Sequence, residues 1–145
     1  VDGDGRDDLV QDDGDGFLVY RSTGTGFAAA EVWFTHPSGT IYTLRHLADV
    51  DGDGKADAIT FDDGSYRAAI SSGTGFGTPS TPYTDNAIVY VNSGDIDGDG
   101  SRELVLRGFT GEQGVVLHYD GTGWTEESWC CFPVGQRIGL GHFTP

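Results

Sequence analysis

The sequence predicts an all-β fold assembled from repeated four-stranded sheets, and three observations predict it. An acidic, glycine-punctuated loop recurs at intervals of 49 and 46 residues. The segments between its copies are short alternating runs bounded by turn residues. No segment sustains an apolar period of 3.6 residues, and the 24 glycines would be costly inside helices.

In chain order, a first strand is expected just before each loop, over residues 41–48 and 87–92, and a second just after it, over 8–10, 58–61 and 104–106. A turn follows, Asp12-Asp13-Gly14-Asp15-Gly16 or Asp62-Asp63-Gly64-Ser65, whose Asp-Gly steps are strong hairpin signals. The third strand is then 17–20, 66–70 or 114–119, and a Gly-Thr-Gly turn leads to a fourth beginning at Phe27, Phe76 or Trp124. The last copy of that turn runs two residues late, which places an insertion between Val105 and Val115, in the turn holding Gly108, Gly111 and Gly114. Four short strands per repeat point to a β-propeller, with a solenoid of stacked β units as the runner-up. The chain reads as one repeat region, 1–145, with repeats at approximately 1–48, 49–94 and 95–141.

The loops carry the chemistry. Asp49, Asp51, Asp53 and Asp57 occupy positions 1, 3, 5 and 9 of the second loop; Asp95, Asp97, Asp99 and Glu103 occupy the same positions of the third. Asp2, Asp4 and Asp8 form the first loop, which lacks its leading residue. Calcium takes six to eight oxygen ligands, so several carboxylates with a backbone carbonyl at position 7, from Arg6, Lys55 or Ser101, suit it. An EF-hand begins similarly but needs Glu at position 12 and flanking helices; Thr60 and Leu106 stand there instead, between β patterns. Ordinary acidic turns are the bland alternative, and the repeated spacing argues against them.

The loop 49–57, followed by Ala58-Ile59 and then by Gly73-Thr74-Gly75-Phe76, resembles the FG-GAP or VCBS repeat of integrin α-subunit propellers, lectins and secreted bacterial proteins. The resemblance covers nearly the whole chain. It implies about three blades here: a part of a larger propeller, or half of a six-bladed assembly of two chains. Three blades are too few to close a ring, and open sheet edges would aggregate. Residues 134–141 read as a further first strand, leading to a degraded fourth loop in which His142 and Thr144 replace aspartates.

Composition excludes some functions. A net charge of −15 with eight Lys and Arg excludes a phosphate-recognising nucleic-acid binder. The three loops hold three, four and four of the 23 acidic residues, so bare loops would repel themselves. No apolar run is long enough to span a membrane, no signal-peptide pattern opens the chain, and the absence of Met places its start after processing or within a longer protein. Adjacent Cys130 and Cys131 form either a strained vicinal disulfide or two reduced thiols beside Trp129 and Phe132. Nucleophile elbow, His-Glu-x-x-His and Walker patterns are all missing, so the chain is read as not an enzyme. His36, His46, His118 and His142 share no spacing and are read as solvated or hydrogen-bonded. Among the aromatics, Phe27, Phe76 and Trp124 share a repeat position and read as structural, whereas Trp33 and Trp129 are the candidates for a ligand surface.

The expectation is therefore a Ca2+-stabilised, secreted or extracellular propeller module that binds carbohydrate or a protein partner, as similarity to lectins and integrins implies. The competing expectation is an accessory or scaffold propeller of a secreted enzyme or toxin whose catalytic residues lie outside this chain.

Overall fold

The computed structural model describes residues 1–37, 39–40, 42–84, 88–108 and 114–129. The expectations for Cys130, Cys131, the strand 134–141 and the degraded loop at His142 and Thr144 fall outside the described residues, as does most of the inserted turn. The described chain forms eleven strands and no helix, so no helix among these residues is long and apolar enough to cross a membrane. They are β1 Leu9–Asp12, β2 Gly16–Tyr20, β3 Glu31–Thr35, β4 Thr43–Ala48, β5 Asp57–Asp62, β6 Ser65–Ala69, β7 Ser80–Thr84, β8 Ile88–Gly94, β9 Glu103–Gly108, β10 Gly114–Tyr119 and β11 Trp124–Trp129.

Three antiparallel sheets result, each with its strands in sequence order: β1-β2-β3, β4-β5-β6-β7 and β8-β9-β10-β11. The acidic loops join β4 to β5 and β8 to β9, and the first loop leads into β1. Repeat boundaries drawn at the loops therefore divide each four-stranded sheet after its first strand. The β5–β6 hairpin shows why Asp-Gly was informative: Asp63 and Gly64 both have positive φ, 43° and 74°, the backbone of a tight turn matched to strand twist. Asp62 and Ser65 pair directly across it.

One expectation is corrected here. Phe27 and Phe76 do not begin the fourth strands; each makes a single bridge, to Ser22 and Ser71, and β3 and β7 start four residues later. The bridged turns close instead through Ala28 N to Arg21 O and Gly77 N to Ile70 O, both 2.8 Å. In the second repeat, Pro79 then has no N–H to give to a ladder. In the third repeat the strand does begin at Trp124.

The core lies between sheets. Alternation along a strand sends successive side chains to opposite faces, and the middle sheet uses both. Ile59, Tyr66 and Ala68 pack with Leu104, Leu106, Val115 and Leu117 of the third sheet. On the other face, Ala58 and Ala69 meet Phe17, Val19 and Trp33 of the first sheet, together with Phe76. Small residues on the middle sheet leave room for aromatic rings, and Trp33 and Phe17 both meet Phe76 at steep angles. Hydrogen bonds stitch the sheets as well, from Phe76 N to Trp33 O at 3.0 Å and from Trp124 Nε1 to Ser80 Oγ at 3.2 Å.

Candidate metal centre

The acidic loops lie side by side, linked by Arg102 N to Asp49 O at 2.9 Å between the third and second. Within each loop the aspartates fold the backbone around themselves. Asp49 accepts from Asp53 N and Gly54 N at 3.1 and 2.9 Å, Asp51 from Asp53 N at 3.2 Å, and Asp53 from Lys55 N at 2.9 Å. In the third loop Asp95 accepts from Gly98 N, Asp97 from Asp99 N and Asp99 from Ser101 N, at 2.6, 3.1 and 2.8 Å. Gly52, Gly54, Gly98 and Gly100 all take the positive φ that this tight winding demands.

The result is convergence. One carboxylate oxygen from each of Asp49, Asp51 and Asp53 lies within 4.8 Å of the others, and Asp95, Asp97 and Asp99 repeat the arrangement. This donor set fits a hard divalent cation, which would take these oxygens and relieve their mutual repulsion. That repulsion is visible at Asp51, whose carboxyl is pushed up by desolvation and then by the charges of Asp53 and Asp49. At Asp53 desolvation is outweighed by its bonds with Lys55, whose ammonium sits on the carboxylate and holds it below the usual range. Arg6 contacts Asp4 in the same way in the first loop. There, Asp2, Asp4 and Asp8 do not gather into a comparable group.

The acids at position 9 behave differently from the others. Asp57 is fully buried and accepts from Val50 N at 2.9 Å and Ser71 N at 2.8 Å, so it ties the start of its loop to the Gly-Thr-Gly turn. Asp8 accepts from Val1 N and Ser22 N, both at 2.8 Å, and Glu103 from Ile96 N at 2.6 Å. Burial pushes the Asp57 carboxyl up to about 7, against the pull of its two backbone donors and with the charges of Asp51 and Asp49 adding to the rise. Sequence spacing grouped these acids with the ligands of their loops. The structure shows each of them also bracing the nitrogen at position 2 of its loop, which is buried at Val50 and partly buried at Val1 and Ile96.

Trp33, expected at a ligand surface, is a correction: it is 5% exposed and packed against Phe76, with Nε1 3.5 Å from Glu31 Oε2. Position 33 faces inward on β3, into the space left by Ala58 and Ala69. Trp129, at the end of β11, is 37% exposed, while Phe27 is 57% exposed where a buried structural ring was expected. Sequence reasoning missed His118, whose Nδ1 lies 3.6 Å from Glu103 Oε1 and 3.9 Å from Asp97 Oδ2. The available signal was its position just before the Gly-Thr-Gly turn, where the other repeats carry Arg21 and Ile70.

Sheet order and loop position together define a repeat protein of antiparallel sheets, each built around an Asp-Gly loop that leads into its long central hairpin. The FG-GAP-like repeat model matches residues 1–60 and 49–106, so the chain belongs to the FG-GAP-like repeat family. No curated protein matched it.

Proposed function

We propose that this chain is a calcium-braced segment of a β-propeller, its three sheets forming successive blades, and that it works outside the cell by binding a partner rather than by catalysis. The observation that carries the calcium reading is the repeated convergence of three aspartates, Asp49, Asp51 and Asp53, then Asp95, Asp97 and Asp99. Carbonyls of Lys55 and Ser101 would complete the shells, and Arg6 would serve the first loop with Asp2 and Asp4. The ion would supply charge neutralisation that fixes each loop between consecutive strands. Extracellular modules of this general kind bind calcium at about 10⁻⁴–10⁻³ M, which supports a site of action where calcium is that abundant.

Carbohydrate or protein recognition is supported by the exposed aromatic Trp129 on a sheet edge and by the family's association with such roles. The remaining blades, from the same protein or a second copy of the chain, would cover the open edges. Elemental analysis with thermal melts tests the metal: bound calcium and a melting temperature lowered by chelator are expected, and neither would be seen if the loops were plain acidic turns. Glycan-array binding that is lost in Trp129→Ala is the expected outcome for the surface; unchanged array binding removes Trp129 from it.

A further inference from the structure

The third loop differs from the other two in two chemical respects: an imidazole nitrogen faces it, and Glu103 stands where the others carry aspartate. Asp97, Glu103 and His118 each offer an atom within 4.8 Å of the other two. Glu103 is 2% exposed, and its Oε2 is committed to Ile96 N. Its other oxygen, whose counterparts on Asp8 and Asp57 accept from Ser22 N and Ser71 N, lies 3.6 Å from His118 Nδ1. The extra methylene of Glu over Asp gives that oxygen its reach. Asp97 Oδ2 stands 3.9 Å from the same nitrogen. On the far side of the ring, Glu127 Oε2 of β11 is 4.0 Å from Nε2, beyond hydrogen-bond reach but on the side from which a carboxylate orients a metal-bound imidazole.

From this arrangement we infer that Asp97, Glu103 and His118 form a second kind of metal site, selective for a borderline divalent cation of the zinc or cobalt(II) type. Zinc bonds of about 2.0–2.2 Å in tetrahedral geometry separate neighbouring ligand atoms by about 3.4 Å, so two of these distances need to close by only a few tenths of an ångström. Calcium takes oxygen ligands, whereas imidazole suits zinc, copper, iron and nickel. The neutral ring would ligate through Nδ1 and keep its proton on Nε2, toward Glu127. His118 is partly exposed and Asp97 half-exposed, which leaves room for water as a fourth ligand. The site shares Asp97 with the calcium set proposed above and adds Glu103, the brace of that loop, but it rests on His118, which calcium would not use.

Visible absorption of the full chain titrated with CoCl2, then back-titrated with ZnCl2, tests it. A Cys130→Ser/Cys131→Ser background removes thiolate ligation. In that background one equivalent of cobalt should give tetrahedral d–d bands that zinc abolishes, and His118→Ala should weaken binding at least tenfold while circular dichroism stays unchanged. Asp99→Asn, which touches only the calcium set, should leave the cobalt bands intact. Absence of the bands in the serine background, or an unchanged titration in His118→Ala, overturns the inference. Calcium uptake without a His118-dependent cobalt band leaves the calcium reading standing alone; the band without calcium uptake does the reverse.

Discussion

At the scale of single residues, the acids of one loop divide into two jobs that substitution separates. Asp57→Ala strands two buried backbone N–H groups, of Val50 and Ser71, which should cost about 2–4 kcal/mol in denaturant melts whether or not calcium is present. Asp53→Asn leaves the brace in place and should lower stability chiefly in calcium-containing buffer. Equal losses for both variants in chelator would contradict the division. Titration gives a second test. Because the folded-state carboxyl of Asp57 is raised to about 7 from 3.8, the folded protein binds more protons than the unfolded chain between those values. Stability contributed by protonated Asp57 is thus present at low pH and falls as pH rises from about 4 to about 7. The stability difference between calcium-free wild type and Asp57→Asn should slope downward across that window; a flat difference would refute it. The sequence made the acids at positions 1, 3 and 5 legible through spacing alone. It did not separate position 9 from them, because burial and donor direction depend on where Ser71 and Val50 lie in space. Trp33 was misjudged for a similar reason: the small residues that receive it, Ala58 and Ala69, are distant in the chain.

At the scale of elements, the turns were the most legible features, and glycine substitutions probe them. In each Gly-Thr-Gly turn the first glycine alone has positive φ: Gly24, Gly73 and Gly121, at 81°, 83° and 86°. Gly121→Ala meets no atom within 4 Å but must hold a left-handed backbone, so it should cost about 1–2 kcal/mol. Gly123→Ala, equally open and not left-handed, should stay within about 0.5 kcal/mol of wild type. Equal costs would show that space, not backbone conformation, governs this turn. Gly16→Ala is a third case: its Cβ would stand 2.1 Å from Phe34 O, so β3 would have to move away from β2. A loss of about 2 kcal/mol or more is expected, with the first sheet affected most in hydrogen exchange. Strand positions were legible from alternation, but the late start of β3 and β7 was not. It reflects bridged turns whose hydrogen bonds, from Ala28 N and Gly77 N, have no compositional signature.

At the scale of the whole molecule, charge and sheet packing act against each other. The chain carries −15, and its acidic loops lie side by side, where like charges oppose the contacts that join the second and third sheets. Two agents relieve this. Mobile salt screens exposed charges over about 10 Å at about 0.1 M, without regard to position. A bound divalent cation neutralises carboxylates where they converge, and at a hundredfold excess over its dissociation constant each site adds about 2.7 kcal/mol to the folded state. Three such ions would bring the net charge to about −9. The two agents should therefore substitute for one another. In chelator, raising NaCl from about 20 mM to about 0.5 M should raise the melting temperature, because the Debye length shrinks from about 20 Å to about 4 Å and the repulsion between loops is screened. In saturating calcium the same salt step should have a much smaller effect, and should lower the apparent calcium affinity by screening the attraction of the loops. Asp51→Asn/Asp97→Asn, which removes one charge from each convergent group, should reproduce part of the salt effect in chelator while weakening the response to calcium. Parallel salt dependences with and without calcium would place the repulsion elsewhere on the surface, and would leave the loops as turns whose acidity serves only their own backbone.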